Sequence, residues 1–180
     1  MSIYYKNRIQ PLKALYDKIE AICLKHIAVA SFDCGDLDKF DGDIMKFPAA
    51  YLETIVDIQE NGRTETYSIA LNLLDRKDTD ATKEQVILTH DKLKQIFTEI
   101  KLYMEQKKVF GAGVGNASIL LFNDFEDERL VRLRGDFALT VEALVTPVAE
   151  LASIFPDAPT PNTSGNGAYS GINPHLLGNG

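Results

Sequence analysis

The 180-residue sequence contains no tryptophan, only two cysteines and no long apolar run. Cys23 and Cys34 form neither a CxxC pair nor a spacing typical of metal ligands, so we expect two reduced thiols. No segment approaches the roughly 20 apolar residues that a bilayer-spanning helix needs. The opening residues, MSIYYKNRIQ, lack the apolar stretch of a signal peptide. These absences predict a protein that is made and used in solution, with no membrane partner.

A basic stripe is also missing, since lysine and arginine are scattered and the net charge is −7. Proteins that hold nucleic acid by neutralising phosphates usually carry such a stripe. We therefore expect no non-specific DNA binding. The negative charge is compatible with an acidic channel wall past which DNA slides. The length and the hydrophobic fraction of 45% suit one soluble domain with a sizeable core.

Two helices are predicted from apolar residues that recur at helical spacing. The first runs from about Asn7 to Lys25, with Pro11 in its first turn. The second runs from about Lys83 to Lys108, and Thr82 with Gln85 forms a possible capping box at its start. The apolar faces consist of Leu12, Leu15, Ile19, Ile22 and Cys23 in the first helix, and of Val86, Leu93, Phe97, Ile100 and Met104, widened by Ile96 and Tyr103, in the second.

Strands are predicted where apolar and polar residues alternate. HIAVASF (26–32) is one, and Asn61-Gly62 turns a hairpin whose first arm places Leu52, Thr54 and Val56 on one face, with Ile55 breaking the polar face. ASILLFNDF and RLVRLRGDFALTVEA form a second hairpin. We expect Tyr67, Ile69, Leu71, Val131, Leu133, Phe137 and Leu139 to face Leu93, Phe97, Ile100 and Met104 of the long helix.

Three alternating glycines, Gly111, Gly113 and Gly115, raise the question of a phosphate-binding loop. Phosphate loops follow a strand and precede a helix, and here that order is reversed. The sequence also lacks the lysine and hydroxyl pair of a P-loop. We therefore expect Gly111 to end the long helix and the other two glycines to link it to the next strand, without tight nucleotide binding.

Other groups with possible chemistry give no catalytic or metal-binding pattern, so we expect no catalytic residue, cofactor or metal. The aspartates of the loop after the first strand do not match the ligand positions of a calcium loop and are interpreted as solvated. The histidines are not paired with a serine, cysteine or carboxylate in a recognisable arrangement, and the second is expected to be exposed. The aspartates are Asp33, Asp36, Asp38, Asp41 and Asp43, and the histidines are His26, His90 and His175.

Charged clusters are interpreted as surface ion pairs, with contacts between subunits as the alternative. They comprise Asp75 with Arg76, and Asp124, Glu126, Asp127 and Glu128 with Arg129 and Arg132.

The order of elements predicts an α+β fold. An antiparallel sheet of hairpins is packed by an N-terminal helix and one long central helix. This body spans residues 1–150, and residues 151–180 form an extended arm rich in proline, glycine and asparagine. From Pro156 onwards the arm contains a single charged residue, Asp157. We expect its apolar groups to anchor it to a partner, namely Tyr169, Ile172, Leu176 and Leu177.

Over residues 7–144 the chain resembles the tail-terminator or tail-completion proteins of tailed bacteriophages. The resemblance is carried by FP-x-x-Y (Phe47, Pro48 and Tyr51) at the first hairpin strand and by the closing strand RGDFALTV (134–141). A narrower likeness is to a neck or ring protein of a crAss-like podophage. The long segment after Pro156 departs from the compact pattern of the class.

This resemblance implies a virion structural protein that assembles in the host cytoplasm. It implies a homo-oligomeric ring in the neck or tail, with neighbouring portal, neck or tail proteins as partners. DNA would pass through the ring without specific binding, and an acidic lumen would repel its phosphates. Two alternatives remain open from the residues alone: a small α+β enzyme or ligand-binding domain, and a soluble adaptor that binds a partner through its C-terminal tail.

Overall fold

Two α-helices and six strands make up the part of the chain that the computed structural model describes, which comprises residues 11–61, 64–78, 80–106, 111–125 and 129–142. The helices are α1 (Pro11–Lys25) and α2 (Lys83–Gln106), and the strands are β1 (Ser31–Gly35), β2 (Ala49–Glu53), β3 (Ile58–Asn61), β4 (Thr64–Arg76), β5 (Gly111–Phe125) and β6 (Leu130–Glu142). The predicted α+β class is confirmed. The arm and the predicted boundary at residue 150 lie outside the described residues.

The six strands form one sheet in the order β1-β2-β4-β6-β5, with β3 pairing beside β2 on the same edge of β4. All pairs are antiparallel except β1 with β2, which are parallel. The prediction of a wholly antiparallel sheet is therefore wrong at this edge. Residues 36–48 connect the end of β1 to the start of β2, so that the two strands run parallel. This connection includes a short 3-10 helix at Leu37–Lys39.

The first strand begins later than predicted. Residues 26–30 form a turn, in which the Val29 backbone N–H donates to the His26 carbonyl oxygen at 3.0 Å. The strand then includes Asp33, Cys34 and Gly35, which the sequence places in a loop. Parallel pairing with β2 supplies the backbone hydrogen bonds that hold these polar residues extended, and local composition does not reveal that pairing.

The predicted first hairpin arm is split into β2 and β3. Five residues (53–57) lie opposite only three residues of β4 (68–70), between the pairs Leu52–Leu71 and Ile58–Tyr67. The excess residues bulge out of the ladder. As a result Val56 is 88% exposed and Ile55 is only 8% exposed, which reverses the predicted roles of these two side chains. A hairpin joins β3 to β4, but Asn61, predicted as a turn residue, still belongs to β3 and pairs with Thr64. Residues 62 and 63, between the two strands, lie outside the described residues.

The three glycines lie inside a strand. Gly111 begins β5 opposite Val141, so its predicted role as the helix cap is wrong. Gly113 and Gly115 continue the same strand, where the register with β6 shifts near each of them. A Cβ on Gly115 would lie 3.3 Å from the Ala138 side chain, so this glycine lets two backbones approach closely.

The main core lies between one face of the sheet and the two helices, and every predicted member of it is buried. Leu12 and Tyr103 are more exposed than their helical positions predict. The capping box is confirmed: Thr82 N–H donates to Gln85 Oε1 at 2.7 Å, and Gln85 N–H donates to Thr82 Oγ1 at 3.3 Å. Among the described residues α1 begins at Pro11, and the predicted start near Asn7 lies outside them.

A second apolar cluster covers part of the opposite face of the sheet. The chain between β1 and β2 supplies Phe40, which packs edge-on against Tyr51 with ring centroids 5.3 Å apart. The Tyr51 hydroxyl donates to the Asp36 carbonyl oxygen at 3.0 Å. Leu74 and Leu130 complete the buried part of this cluster. The loop that is interpreted as solvated from its aspartates is therefore anchored by its apolar residues.

The Phe97 ring lies directly over Gly135, at the centre of the helix–sheet contact. A Cβ at residue 135 would fall 2.1 Å from Phe97 Cε2 and 2.2 Å from Cζ, which is closer than any atomic contact allows. Phe97 also meets Phe137 in an edge-on contact with centroids 6.0 Å apart. Only glycine fits beneath the ring, a requirement that the alternation pattern of β6 does not reveal.

We expect Gly135→Ala to destabilise the fold by about 1–3 kcal/mol through overpacking, and Phe97→Ala by about 3–5 kcal/mol through the cavity it leaves. In the double variant the added methyl group occupies part of that cavity. The double variant should therefore lose less free energy of unfolding than the sum of the two single changes. Urea denaturation of all four proteins checks this, and strictly additive losses would contradict the contact.

The two thiols should differ sharply in reactivity. Burial raises the pKa of the Cys23 thiol to about 12, with a smaller contribution from the Glu20 carboxylate, so at pH 8 it stays protonated and unreactive. Cys34 is exposed, although partial burial and nearby carboxylates also raise its pKa. A native thiol titration with a disulfide reagent should detect about one group per chain, and the same titration in denaturant should detect both. Rapid reaction of both thiols in the native state would show the α1 packing to be wrong.

Candidate functional site

The predicted arm anchors Tyr169, Ile172, Leu176 and Leu177 lie outside the described residues, as does His175. The two motifs of the phage resemblance lie inside them and have structural roles. FP-x-x-Y contributes Phe47 and Tyr51 to the second apolar cluster, and the Arg76 guanidinium lies 5.1 Å from the centroid of the Phe47 ring. RGDFALTV supplies Gly135 and the core face of β6.

An apolar groove of about 300 Å³ lies where the end of α1 meets α2. Ile22, Ile27, Ile100 and Tyr103 supply most of its surface. Lys25, His26 and Glu99 complete the lining. We call this depression the helix groove. Its composition suits an apolar side chain with backbone polar groups at the rim.

His26 and Glu99 join the two helices beside the helix groove. His26 Nε2 and Glu99 Oε2 are 2.7 Å apart, and the Ala28 backbone N–H donates to His26 Nδ1 at 3.2 Å. Since Nδ1 accepts a hydrogen bond, the ring proton lies on Nε2 and is donated to the carboxylate. The prediction that no carboxylate pairs with a histidine is therefore wrong for His26. The two partners are 73 residues apart, so no sequence motif could join them.

Ile27 occupies the tip of the turn that follows α1 and is fully exposed. Turns at such positions usually carry glycine, proline, asparagine, aspartate or serine, so a β-branched apolar residue is unusual there. Leu24, Leu102 and Tyr103 are also more than one-third exposed on the same two helices. Clustered exposed apolar side chains mark surfaces that bind other proteins. No signal in the sequence pointed to this surface, because HIAVASF was predicted as a strand, in which Ile27 is ordinary.

The face of the sheet away from the helices carries a charged network, which we call the open sheet face. Arg134 bridges two carboxylates: its Nη1 lies 3.1 Å from Glu53 Oε1 and its Nε lies 2.9 Å from Asp136 Oδ1. The buried Asn72 amide donates to the same Glu53 oxygen at 3.0 Å. The network borders a shallow depression of about 610 Å³ that Ser68 and Ser118 also line.

Arg132 lies in β6, where the sequence predicts a strand, but it is buried and does not belong to an exposed charged cluster. Its guanidinium carbon lies 3.9 Å from the centroid of the Phe122 ring on the neighbouring strand. Burial lowers the pKa of the Arg132 guanidinium, against an opposing contribution from the Glu53 carboxylate. Stacking on an aromatic ring stabilises a guanidinium that has lost part of its water shell.

The other charged clusters behave in part as surface ion pairs. Asp75 contacts Lys92 of α2 at 2.8 Å, and Arg129 contacts Asp43 at 3.5 Å. Exposed pairs of this kind contribute about 0–1 kcal/mol each. Residues 126–128 lie outside the described part of the chain.

His90 is buried, contrary to the prediction that it is exposed. Its Nε2 lies 2.8 Å from Asn123 Oδ1 of β5. This contact connects the first half of α2 to the edge strand of the sheet. The helical period places His90 three residues before Leu93 on the core face, which a pattern restricted to apolar residues overlooks.

The aspartates after β1 bond mainly within their own loop. Asp36 accepts hydrogen bonds from Lys39 at 2.5 Å and from Thr54 at 2.9 Å. Asp41 Oδ1 accepts the Asp43 backbone N–H at 2.9 Å. Across the described ranges, no three or more side chains of histidine, cysteine, aspartate or glutamate are grouped so as to hold a metal ion.

Neither helix in the described part of the chain is long and apolar enough to cross a membrane. No protein-family model matches the chain, and no curated protein matches it. The resemblance to tail-terminator proteins therefore stays a prediction based on the residues quoted for it.

The bonds around Glu99 should be visible in its titration. Hydrogen bonds from Gln95 and then from His26 hold the pKa of the Glu99 carboxyl below its usual value. A lowered pKa means that the bonds stabilise the fold above the unfolded pKa near 4.5, and that this contribution is lost as the pH falls through the folded pKa. Gln95→Ala and His26→Ala should each raise the pKa of Glu99.

Carboxyl ¹³C NMR titration of the unchanged protein and the two variants measures both shifts. Lys94→Ala on the same exposed side of α2 serves as the matched control, because it removes neither bond. A Glu99 pKa that is the same in all four proteins would contradict the described contact.

Proposed function

We propose that this chain is a structural subunit of a tailed bacteriophage virion that forms a homo-oligomeric ring in the neck or tail. The observation that carries the proposal is a pair of unlike surfaces on one rigid body. The helix groove is apolar and lies on the helix side. The open sheet face is charged and lies on the opposite side of the sheet.

Two unlike surfaces suit a head-to-tail contact. A two-fold dimer joins the same patch on both subunits, whereas a ring joins one patch to a different patch on the next subunit. A subunit of a ring must therefore present two different binding surfaces, each only partly covered in the isolated chain. The exposed Ile27 and Tyr103 on one side, and the Arg134 network on the other, meet that requirement.

The sheet gives such a subunit a rigid frame. β4 is paired along its whole length to β6 on one edge, and to β2 and β3 on the other. The two helices pack on one face, so the positions of both surfaces are fixed by the same core. The net charge of −7 agrees with a channel through which DNA passes without adhering to the wall.

The composition of the segment after β6 is a second argument for the ring. Thirty-eight residues (143–180) follow the last described strand, and from Pro156 they carry one charged residue and few large apolar ones. Such a composition does not bury enough apolar surface to form a core of its own. We propose that it is an arm that contacts a neighbouring subunit or another virion protein, with Tyr169, Ile172, Leu176 and Leu177 as its anchors.

A ligand-binding domain is the second candidate. The depression on the open sheet face has the volume of a small-molecule site, and three charged side chains, Glu53, Arg134 and Asp136, converge at it. The charges already neutralise one another in part, since Arg134 contacts both carboxylates. A contact surface made of satisfied ion pairs agrees better with a polar protein interface, and for this reason the ring is preferred.

The oligomeric state tests the proposal. The purified full chain should assemble with increasing concentration into a closed ring of one size, seen by light scattering coupled to gel filtration and by negative-stain electron microscopy. Arg134→Glu reverses the charge between two carboxylates and should reduce assembly, whereas Lys13→Glu on the exposed side of α1 serves as a matched control. A chain that stays monomeric, or that stops at a two-fold dimer, would contradict the ring.

Removing the arm separates assembly from folding. A chain that ends at Phe155 should keep nearly the same melting temperature, because the described core is complete by Glu142. Its assembly should be weaker than that of the full chain. Failure of the shortened chain to fold would show that the arm belongs to the core of its own domain.

A further inference from the structure

We propose that the helix groove is the receptor for the C-terminal apolar residues 169–177 of a second copy of this chain. The inference rests on the proposed ring and adds the site at which one subunit holds the next. The groove and its occupant lie on different parts of the same polypeptide, so one copy can receive a segment while donating its own. Such a contact propagates from subunit to subunit and closes into a ring.

The groove matches an uncharged, apolar segment in chemistry. Ile22, Ile27, Ile100 and Tyr103 supply apolar surface, and the only carboxylate in the lining, Glu99, is already bonded to Gln95 and His26. A cationic occupant would lose its water without gaining a free carboxylate as partner, which costs several kcal/mol. The sequence from Pro161 to Gly180 contains no aspartate, glutamate, lysine or arginine, so its anchors enter without that cost.

The groove also matches the segment in size. A cavity of about 150 Å³ lined by aliphatic and aromatic side chains holds one benzene molecule. The helix groove has about 300 Å³ and therefore accommodates one tyrosine ring or two aliphatic side chains. Leu176 and Leu177 are adjacent, and Tyr169 lies seven residues earlier. Lys25, at the rim, can donate hydrogen bonds to the backbone carbonyl groups of an extended segment.

The chain is long enough for the anchors to reach another copy. Tyr169 is the twenty-seventh residue after Glu142, the end of β6. At about 3.3 Å per residue this segment spans up to about 90 Å when extended. A folded body of this length has a radius of gyration of about 14 Å. The linker therefore exceeds what a contact with the adjacent subunit requires.

Cysteine cross-linking of full-length chains tests the site and identifies the copy that fills it. In a Cys34→Ser background, one protein carries Lys25→Cys at the groove rim. The other carries a cysteine at one anchor, with Tyr169, Ile172, Leu176 and Leu177 each replaced in turn. Cys23 is left in place because its buried thiol does not react. The two proteins are given different mass labels, mixed and mildly oxidised, and the disulfide-linked species are identified by mass spectrometry.

We expect at least one anchor cysteine to form a mixed-label disulfide dimer with Lys25→Cys at least tenfold faster than with Lys83→Cys. Lys83 is an exposed lysine at the start of α2, about 30 Å along the helix from Tyr103. Adding Ile27→Asp to the Lys25→Cys chain should reduce the rate to that of the control. This second substitution changes a fully exposed side chain, so it tests the groove without removing a core residue.

Each of the remaining outcomes contradicts one part of the proposal. If none of the four anchors reacts faster than the control, the groove is not the receptor. If a chain carrying both cysteines forms only an internal disulfide, and mixed chains form none, the occupant is the chain's own C-terminal segment. Rings seen by microscopy without groove cross-links would refute the docking site alone. Specific cross-links in a protein that never closes a ring would refute the ring alone.

Discussion

The contact of the Phe97 ring with Gly135 sets the distance between the long helix and the sheet. Because a Cβ at residue 135 would lie only 2.1 Å from the ring, the ring rests on bare backbone at the middle of β6. The rest of the core depends on this approach. Leu93, Ile100 and Met104 lie along the same side of α2 and reach the sheet only because Phe97 does. The position of α2 in turn fixes Glu99 and Tyr103, and with them one wall of the helix groove.

Sequence periodicity predicted the parts of the fold that depend on one element at a time. The two helices, the capping box at Thr82 and the core residues of β4 and β6 are all confirmed, since each follows from a repeat of 3.6 or 2 residues. The errors lie where distant segments decide the structure. β1 includes residues that the sequence predicted as a loop, because they pair in parallel with β2. Two excess residues opposite β4 form a bulge, in which Val56 is exposed and Ile55 is buried. No local pattern contains that information.

The candidate surfaces were harder to predict from the sequence than the fold. The Arg134 network joins residues from β2, β4 and β6, and the helix groove joins the end of α1 to the last turns of α2. Such groups meet only after the sheet order is known, and that order is not a property of any short segment. Ile27 gave no signal either, because residues 26–32 were predicted as a strand, in which an isoleucine is ordinary. Its position is unusual only once the structure places it at the tip of a turn.

The two-sided pairing of β4 has a consequence for how the protein is made. Its partner on one side, β3, is adjacent in sequence, but its pairing with β6 joins residues as far apart as Thr64 and Glu142. After β4 ends at Arg76, the ribosome must therefore add 66 further residues to reach Glu142 before this edge of β4 is fully covered. Until then the nascent chain presents an unpaired strand of thirteen residues rich in leucine and isoleucine. Chain elongation at about 5–20 residues per second leaves that edge open for several seconds. During that interval the open edge is a template on which another strand can pair.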